Sequence, residues 1–253
     1  MRVFALSDLH IDYDLNKQWI AQLSTDDYRD DVLILAGDVS DSLLLLEWCL
    51  KTLASRFKKV LYVPGNHDLW VIRDGPDRQS LDKFQQICTL VENCGASMQA
   101  FHRGSLSIIP LLGWYDYSFG QPSTEIFATW ADYHACRWPE HFSAHDITAH
   151  FVQLNEPLFS NLNQTVISFS HFLPRIDLMP AYIPLEKRTL YPILGTHLLE
   201  KQVRQLASTI HVYGHSHVNR SVKIEGISYI NNAFGYPRET HIAAKQLLCI
   251  YET

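Results

Sequence analysis

Residues 60–68 read Val-Leu-Tyr-Val-Pro-Gly-Asn-His-Asp, an apolar run that leads into a turn and three polar side chains. The four apolar residues predict a buried strand. Pro64 ends that strand because proline has no backbone N–H to donate to a neighbour, and Gly65 permits a sharp turn. The Asn-His-Asp triplet therefore follows the carboxyl end of a strand, which is the edge where open α/β sheets bind their ligands.

Four further polar motifs follow apolar, strand-like runs elsewhere in the chain. They are Asp8-Leu9-His10, Gly37-Asp38-Val39-Ser40-Asp41, Ser170-His171-Phe172 and Gly214-His215-Ser216-His217. Strands predicted at 3–7 and 31–36 precede the first two motifs, and segments with helical periodicity separate the first three strands. Strands that alternate with helices through short turns predict a parallel sheet. The first three motifs should therefore meet at one edge of that sheet.

An aromatic-rich segment at about 113–145 interrupts this pattern. It contains half of the 6 tryptophans of the chain and has little clean periodicity. We interpret it as an insert or lid over the motif-bearing edge, while a second apolar cluster that packs loops on the sheet explains it equally well. Further strands are predicted at 97–101, 106–111, 165–169 and 210–213, followed by antiparallel strands. Because no repeat or linker is visible, we expect a single domain over residues 1–253.

The composition argues against several functional classes. The chain has 253 residues and a formal net charge of -6 with no long basic run, which argues against nucleic-acid binding through phosphate neutralisation. The 5 cysteines are an odd number without close-spaced pairs, as in proteins of a reducing compartment. Neither a secretory signal nor an apolar run long enough to span a bilayer is visible. We therefore expect a cytoplasmic protein without a membrane partner.

Seven side chains at the predicted strand ends are candidate metal ligands. They are Asp8, His10, Asp38, Asn66, His171, His215 and His217. Three oxygen donors and four imidazoles without a thiolate suit manganese, iron, zinc or cobalt better than Cu(I). Because seven ligands are too many for one such ion, the set predicts two.

In their order along the chain, the five motifs resemble the fingerprint of the calcineurin-like metallophosphoesterase superfamily. That fingerprint is D-x-H, G-D-x-x-D, G-N-H-D/E, a lone His and G-H-x-H, and the match runs from Asp8 to His217. The resemblance implies a four-layer αββα sandwich of two mixed sheets flanked by helices. It also implies two sets of ligands, with Asp8, His10, Asp38 and His217 on the first metal and Asn66, His171 and His215 joining a bridging Asp38 on the second.

The function implied by the resemblance is a dinuclear metal-dependent phosphoesterase. A hydroxide bound to manganese, iron or zinc would attack a phosphomonoester or phosphodiester. His67, next to a ligand but not needed as one, is expected to act as general acid for the leaving oxygen, and Asp41 is expected to orient its ring. The expected substrate is a small phosphate ester, with nucleotides among the candidates.

Departures from related patterns narrow the subclass. Ser42 stands where the Ser/Thr protein phosphatases have arginine, and Asp41 stands where purple acid phosphatases place a tyrosine ligand. This leaves the small bacterial-type phosphodiesterases and phosphatases, with the oligomeric state open. The alternatives are a protein-binding scaffold of the same superfamily, which the complete ligand set disfavours, and a nuclease, which the acidic charge disfavours. Candidate phosphate anchors are Arg175, Arg188, Arg220 and Arg238.

Overall fold

The computed structural model of the protein describes residues 1–252. Within that range the strands are β1 (Arg2–Leu6), β2 (Val32–Ala36), β3 (Lys59–Val63), β4 (Phe101–Arg103), β5 (Leu106–Leu111), β6 (Thr165–Ser170), β7 (Ile210–Tyr213), β8 (Arg220–Ile224), β9 (Ile227–Asn231) and β10 (Leu248–Glu252). The helices are α1 (Asp14–Gln22), α2 (Leu43–Ala54), α3 (Ser80–Asn93), α4 (Thr124–Thr129), α5 (Asp132–Ala135), α6 (Ala144–Gln153) and α7 (His197–Gln205). No helix in this range is long and apolar enough to cross a membrane.

The strands form two mixed sheets. The first has the order β10-β1-β2-β3, in which β1, β2 and β3 are parallel and β10 pairs antiparallel with β1. The second has the order β4-β5-β6-β7-β9-β8, in which the four central strands are parallel and the two edge strands are antiparallel. The parallel arrangement predicted for the first three strands is therefore confirmed.

The strands of the first sheet are apolar on both faces because both faces are covered. Val3, Ile34 and Leu61 pack against residues of the second sheet such as Ile108 and Ile167, all of them fully buried. The intervening strand residues face the other way, into a larger apolar cluster that also contains the buried faces of α1, α2 and α3. Two-sided burial of this kind is typical of parallel strands. The predicted α/β architecture, two mixed sheets flanked by helices, is confirmed.

The aromatic-rich segment at 113–145 folds into loops and the two short helices α4 and α5. Trp114 and Tyr115 are buried in the larger apolar cluster, so the segment packs on the rest of the molecule. Helix α6, at the end of the segment, starts with a capping box, in which Ser143 and Asp146 bond each other's backbone N–H. The single domain with an insert stays a prediction.

Candidate metal centre

Two groups of potential metal ligands lie where the strands of the two sheets end. The groups are Asp8, His10, Asp38 and His217, and Asp38, His171 and His215. Within each group the ligand atoms lie within 4.8 Å of one another. Asp38 belongs to both groups, so a bridging carboxylate is geometrically available. The motif residues predicted to meet at one edge do so.

Asn66 joins the second group through its side-chain oxygen. Its Oδ1 atom lies 3.1 Å from Nε2 of His171, and that nitrogen lies 3.2 Å from Nδ1 of His215. In the first group, Nε2 of His10 lies 3.1 Å from Nε2 of His217. Ring nitrogens of neighbouring histidines thus converge in pairs. All seven candidate ligands are therefore brought together.

Three of the four imidazoles use their second ring nitrogen to bond an acceptor outside the cluster. The pairs are His171 Nδ1 with the Ala36 carbonyl at 2.9 Å, His215 Nε2 with the Ile193 carbonyl at 3.1 Å and His217 Nδ1 with Glu239 Oε2 at 2.7 Å. An imidazole must donate to these acceptors, so in the neutral ring the other nitrogen carries no proton and faces the cluster. This is the tautomer that a metal ligand requires. The donor set fits two metal ions.

Burial and neighbouring charges set the protonation of these histidines. Burial lowers the pKa of His171 to about 4 and that of His215 to about 4, so both rings are neutral at pH 7. Burial also favours neutral His217, but the carboxylates of Asp8 and Glu239 outweigh it and raise its pKa to about 10. A metal ion entering the first group must therefore displace a proton from His217.

The turns that carry the ligands have an unusual backbone. Five ligands have positive φ, namely Asp8 (53°), His10 (42°), Asp38 (56°), His215 (64°) and His217 (54°). Residues other than glycine rarely adopt this region, and they persist there when the surroundings hold them. The N–H of His215 donates to the Asp8 carboxylate at 3.0 Å, and the N–H of Asp8 donates to the Gly37 carbonyl at 2.9 Å. These bonds between turns stabilise the strained conformation.

Asp68 ties together the turns that follow β2 and β3. Its carboxylate accepts hydrogen bonds from the backbone N–H groups of Asp38, Val39, Ser40 and Gly65. Gly65 is required there because a Cβ atom would lie 2.1 Å from Oδ1 of Asp38. The close approach of the two turns places the shared ligand beside the Asn-His-Asp triplet.

His67 lies beside the two groups without joining either. Its backbone N–H donates to Oδ1 of Asp38 at 2.9 Å, and its ring stacks on Trp70 with the ring centroids 3.6 Å apart. The edge of the ring meets His10, with centroids 4.7 Å apart. Burial, together with the neighbouring imidazoles, lowers the pKa of His67 to about 3. The ring is therefore neutral at pH 7 before a substrate is bound.

Asp41 lies at the side of the centre and pairs with an arginine. Its Oδ2 atom is 3.2 Å from Nε of Arg73, while Oδ1 is buried without a hydrogen-bond partner. Asp41 and His67 line the same cleft, but within residues 1–252 no hydrogen bond joins the Asp41 carboxylate to the His67 ring. The ring of His67 is held by Trp70 instead.

A cleft of about 380 Å³ opens beside the first ligand group. His10, His67, Trp70, Arg73 and Tyr236 are among its lining residues, and Arg73 is the one lysine or arginine in the described lining. Arg73 lies outside the five sequence motifs, and no pattern in the sequence indicates it. Three of the arginines proposed as phosphate anchors have other partners: Arg175 pairs with Asp177 and Glu200, and Arg188 and Arg220 bond backbone carbonyls. The fourth, Arg238, lies over the ring of Tyr236, which lines the cleft.

Three further residues contact the predicted site residues and were also missed. Asp132 accepts a hydrogen bond from Asn66, Glu239 accepts one from His217, and Trp70 stacks on His67. None of them lies in a strand-end motif. Asp132 and Glu239 are acidic, as residues that support metal ligands often are. Acidic residues are too common along the chain for this to identify them from the sequence.

Comparisons with known proteins agree with this geometry. An acyl-carrier-protein phosphodiesterase of Mycobacterium tuberculosis, PptH, is 27% identical over 259 residues, which covers 94% of this chain and 78% of that protein. The crystal structure of phosphopantetheinyl hydrolase (PptH) from the same organism matches with a TM-score of 0.82 and 25% identity, over 100% of this chain and 96% of that one. Purple acid phosphatase PPD1 from yellow lupin shares the fold at a TM-score of 0.51 and 12% identity, over 91% of this chain and 43% of that one.

The family model for calcineurin-like phosphoesterases matches residues 1–219. That range contains all five motifs and every candidate ligand, from Asp8 to His217. The match therefore covers the catalytic part of the chain and not only its fold. The chain belongs to the calcineurin-like phosphoesterase family, and it is a phosphoric ester hydrolase of the metal-dependent kind.

Proposed function

We propose that the protein hydrolyses a phosphodiester that joins a phosphopantetheinyl group to a carrier protein. The observation that supports hydrolysis is the position of Asp38, which both ligand groups share. The substrate class rests on PptH, a relative named as an acyl-carrier-protein phosphodiesterase that matches 94% of this chain.

The seven ligands would hold two ions, and we propose manganese, iron or zinc because oxygen and imidazole donors suit these metals. Two ions, when bound, lower the pKa of a bound water and neutralise the phosphate charge during in-line displacement. The chain itself contributes the orientation of the ligands. His171, His215 and His217 are held by acceptors behind them, and Asp38 is held by its turn.

His67 is the proposed proton donor to the leaving oxygen. It borders the cleft, and its ring is fixed by the stack on Trp70. In the metal-free protein its pKa is about 3, so the neutral ring first has to gain a proton before it can act as an acid. The negative charge of a bound phosphodiester favours the protonated ring and raises that pKa.

Arg73 is the proposed anchor for the substrate at the mouth of the cleft. The predicted role of Asp41 in orienting His67 remains a proposal, and we add that Asp41 holds Arg73 through their 3.2 Å contact. A guanidinium pairs well with phosphate or carboxylate oxygens. The surface around it is open, since Tyr13 and Ile72 are 47% and 55% exposed. An ester carried on another protein can reach such a cleft.

The cytoplasmic location also belongs to this proposal. All five cysteines are free thiols, namely Cys49, Cys88, Cys94, Cys136 and Cys249. Free cysteines are the common state in a reducing compartment.

The experiment is an assay of metal-reconstituted protein on an acyl carrier protein that bears its phosphopantetheinyl group. Intact-mass spectrometry measures the loss of that group. A small phosphodiester, a phosphomonoester and a cyclic nucleotide are assayed in parallel, and Asp38→Asn serves as the metal-site control. Hydrolysis of the small esters with an unchanged carrier protein would exclude the proposed substrate. No hydrolysis of any of them would overturn the function.

A further inference from the structure

Asp132 is a buried carboxylate in the aromatic-rich segment, at the start of α5. It is 2% exposed, and within residues 1–252 no lysine or arginine forms an ion pair with it. An unpaired buried carboxylate is costly unless hydrogen bonds satisfy it. Three donors do so. Oδ1 accepts from Nδ2 of Asn66 at 2.8 Å and from Nε1 of Trp70 at 2.7 Å, and Oδ2 accepts from Nε1 of Trp130 at 2.8 Å.

The bond to Asn66 decides which end of that amide faces the metal centre. An amide has a donating nitrogen and an accepting oxygen at nearly equivalent positions. Because Nδ2 donates to Asp132, Oδ1 must point the other way, towards Nε2 of His171 at 3.1 Å. The opposite orientation would present an NH₂ group, which cannot bind a cation. Asp132 therefore selects the ligating atom of Asn66.

The bond to Trp70 supports the other functional side chain. The indole of Trp70 stacks on His67 with ring centroids 3.6 Å apart, and its N–H is held by the same Oδ1 atom that holds Asn66. Oδ1 of Asp132 therefore hydrogen-bonds both Asn66, a candidate ligand of the second group, and Trp70, which stacks on His67. Both contacts come from a segment that lies outside the sheets.

We propose that Asp132 is a positioning residue that couples the second metal site to His67. The aromatic-rich segment then serves the chemistry through this carboxylate, in addition to covering the core. The inference rests on the metal site of the proposed function, but not on the identity of the substrate. Its primary readout is metal binding, so failure of the carrier-protein assay would leave it intact.

The main test compares Asp132→Leu with Asp132→Asn. Leucine removes both acceptor oxygens and so breaks all three hydrogen bonds. Loss of a group that orients a metal ligand typically weakens binding about 10–100-fold. We expect that loss for one of the two manganese ions, measured by titration of the metal-free protein, while the other ion binds as in the wild type. Asparagine keeps one oxygen, which can still accept from both Asn66 and Trp70, so affinity should return to within a few-fold of wild type.

Two further variants test the link from Asp132 to His67 and the specificity of the effect. Trp70→Phe keeps an aromatic ring on His67 but removes the N–H, so both ions should bind normally while the rate falls more on alkyl esters than on nitrophenyl esters. Tyr117→Phe removes a 2.9 Å hydrogen bond to Tyr133 in the same segment and is the matched control. It should change neither metal affinity nor the preference between esters.

The outcomes that overturn the proposal are specific. If the Asp132→Leu protein bound both ions with the affinity of the wild type, Asp132 would not position Asn66 for metal binding. If Asp132→Asn lost as much affinity as Asp132→Leu, an oxygen that accepts from Asn66 and Trp70 would not be sufficient to hold the second metal site, and the proposed positioning role would be excluded. A loss in Tyr117→Phe as large as in Asp132→Leu would indicate general loosening of the segment. Because Asp132→Asn preserves size and polarity, it keeps the test decisive if the leucine variant fails to fold.

Discussion

Asp38 occupies the most demanding position in the molecule. It is 1% exposed, has a positive φ and belongs to both ligand groups. Burial and the nearby Asp8 raise its pKa well above the usual range, so the metal-free protein disfavours its charge. Two metal ions would reverse that preference. Changes at this residue should therefore affect the whole centre, whereas changes at Asp8 should affect one group.

The first prediction compares two isosteric changes. Asp38→Asn should lose most of both ions, because the amide carries no charge to share between them. Asp8→Asn should lose one ion and keep the other. Elemental analysis after reconstitution with manganese measures both, with the wild type expected near two ions per chain. An Asp38→Asn protein that retains two ions, or a wild type that binds at most one, would contradict the dinuclear arrangement.

The second prediction concerns the proton that His67 donates. An alkoxide leaves poorly without a proton, while a nitrophenolate leaves readily. His67→Ala removes no ligand and should keep both metals, yet lose about 10²–10⁴-fold in kcat on alkyl phosphodiesters, the usual range for general acid catalysis. The loss on nitrophenyl esters should be clearly smaller, and steady-state kinetics on both ester types measures the difference. Equal losses with the metals retained would mean that His67 only positions the phosphate.

At the level of secondary-structure elements, β7 carries a buried histidine that is not part of the metal centre. His211 is fully buried and bonds the side chains of Ser168 at 2.8 Å and Ser170 at 3.1 Å on β6. Burial lowers its pKa to about 3. An unfolded histidine takes up a proton near pH 6.5, whereas the folded one resists it until about pH 3. The free energy of unfolding should therefore fall as the pH drops through this window.

The third prediction isolates that contribution. His211→Gln removes the titrating group, so the free energy of unfolding of metal-free protein should depend less steeply on pH between 6 and 4.5. The expected difference in slope is about 1.4 kcal/mol per pH unit. Urea unfolding at a series of pH values measures it. Ser168→Ala is the control, because it removes a hydrogen bond but keeps the imidazole, and its slope should match the wild type. Parallel curves for wild type and His211→Gln would exclude the effect.

Most elements were predictable from local pattern, and one difference shows where pattern is insufficient. β1, β2 and β3 are continuous apolar runs because helices cover one face and the second sheet covers the other. The strand predicted at 97–101 splits instead. Ser97 pairs with Leu61 at the edge of β3, and the strand β4 begins only at Phe101. The choice between two sheet edges is made by tertiary contacts that local periodicity does not encode.

At the level of the whole molecule, the metal centre joins the two sheets. Asp8, Asp38 and Asn66 follow strands of the first sheet, while His171 and His217 follow strands of the second. Ions bound between them would hold the sheets together, and they would bind the folded chain in preference to the unfolded one. Metal binding should therefore contribute directly to stability.

The fourth prediction is the effect of metal removal. Each ion at 100 times its dissociation constant adds about 2.7 kcal/mol, so two add about 5 kcal/mol. For a chain of this size, about 2–4 °C of Tm corresponds to each kcal/mol. Chelation should lower Tm by about 10–20 °C, as measured by calorimetry, and added manganese should restore it. Asp38→Asn is the control and should show little metal dependence. If chelation left the Tm of the wild type unchanged, tight binding of the two metal ions would be contradicted.

The candidate ligands could be predicted from the sequence because each follows an apolar strand, so local order carries the signal. The residues that hold these ligands in place could not be predicted in this way. Asp132 lies 66 positions from Asn66, and Glu239 lies 22 positions from His217. Arg73 lies in a loop whose course is set by the fold. Such contacts exist only after folding, and one acidic residue in a sequence looks like any other.

His10 and His217, which face each other in the first ligand group, are 207 positions apart in the chain. The acceptor behind His217 is Glu239, later still. A ribosome therefore has to synthesise the chain at least as far as His217 before the first site can exist, and earlier stretches carry only isolated carboxylates and imidazoles. Metal can load into the first site only after His217 has been synthesised and the two ends of the fold have met. Which metal occupies the site then depends on the ions available to the finished protein, because affinity alone orders these metals the same way in most sites.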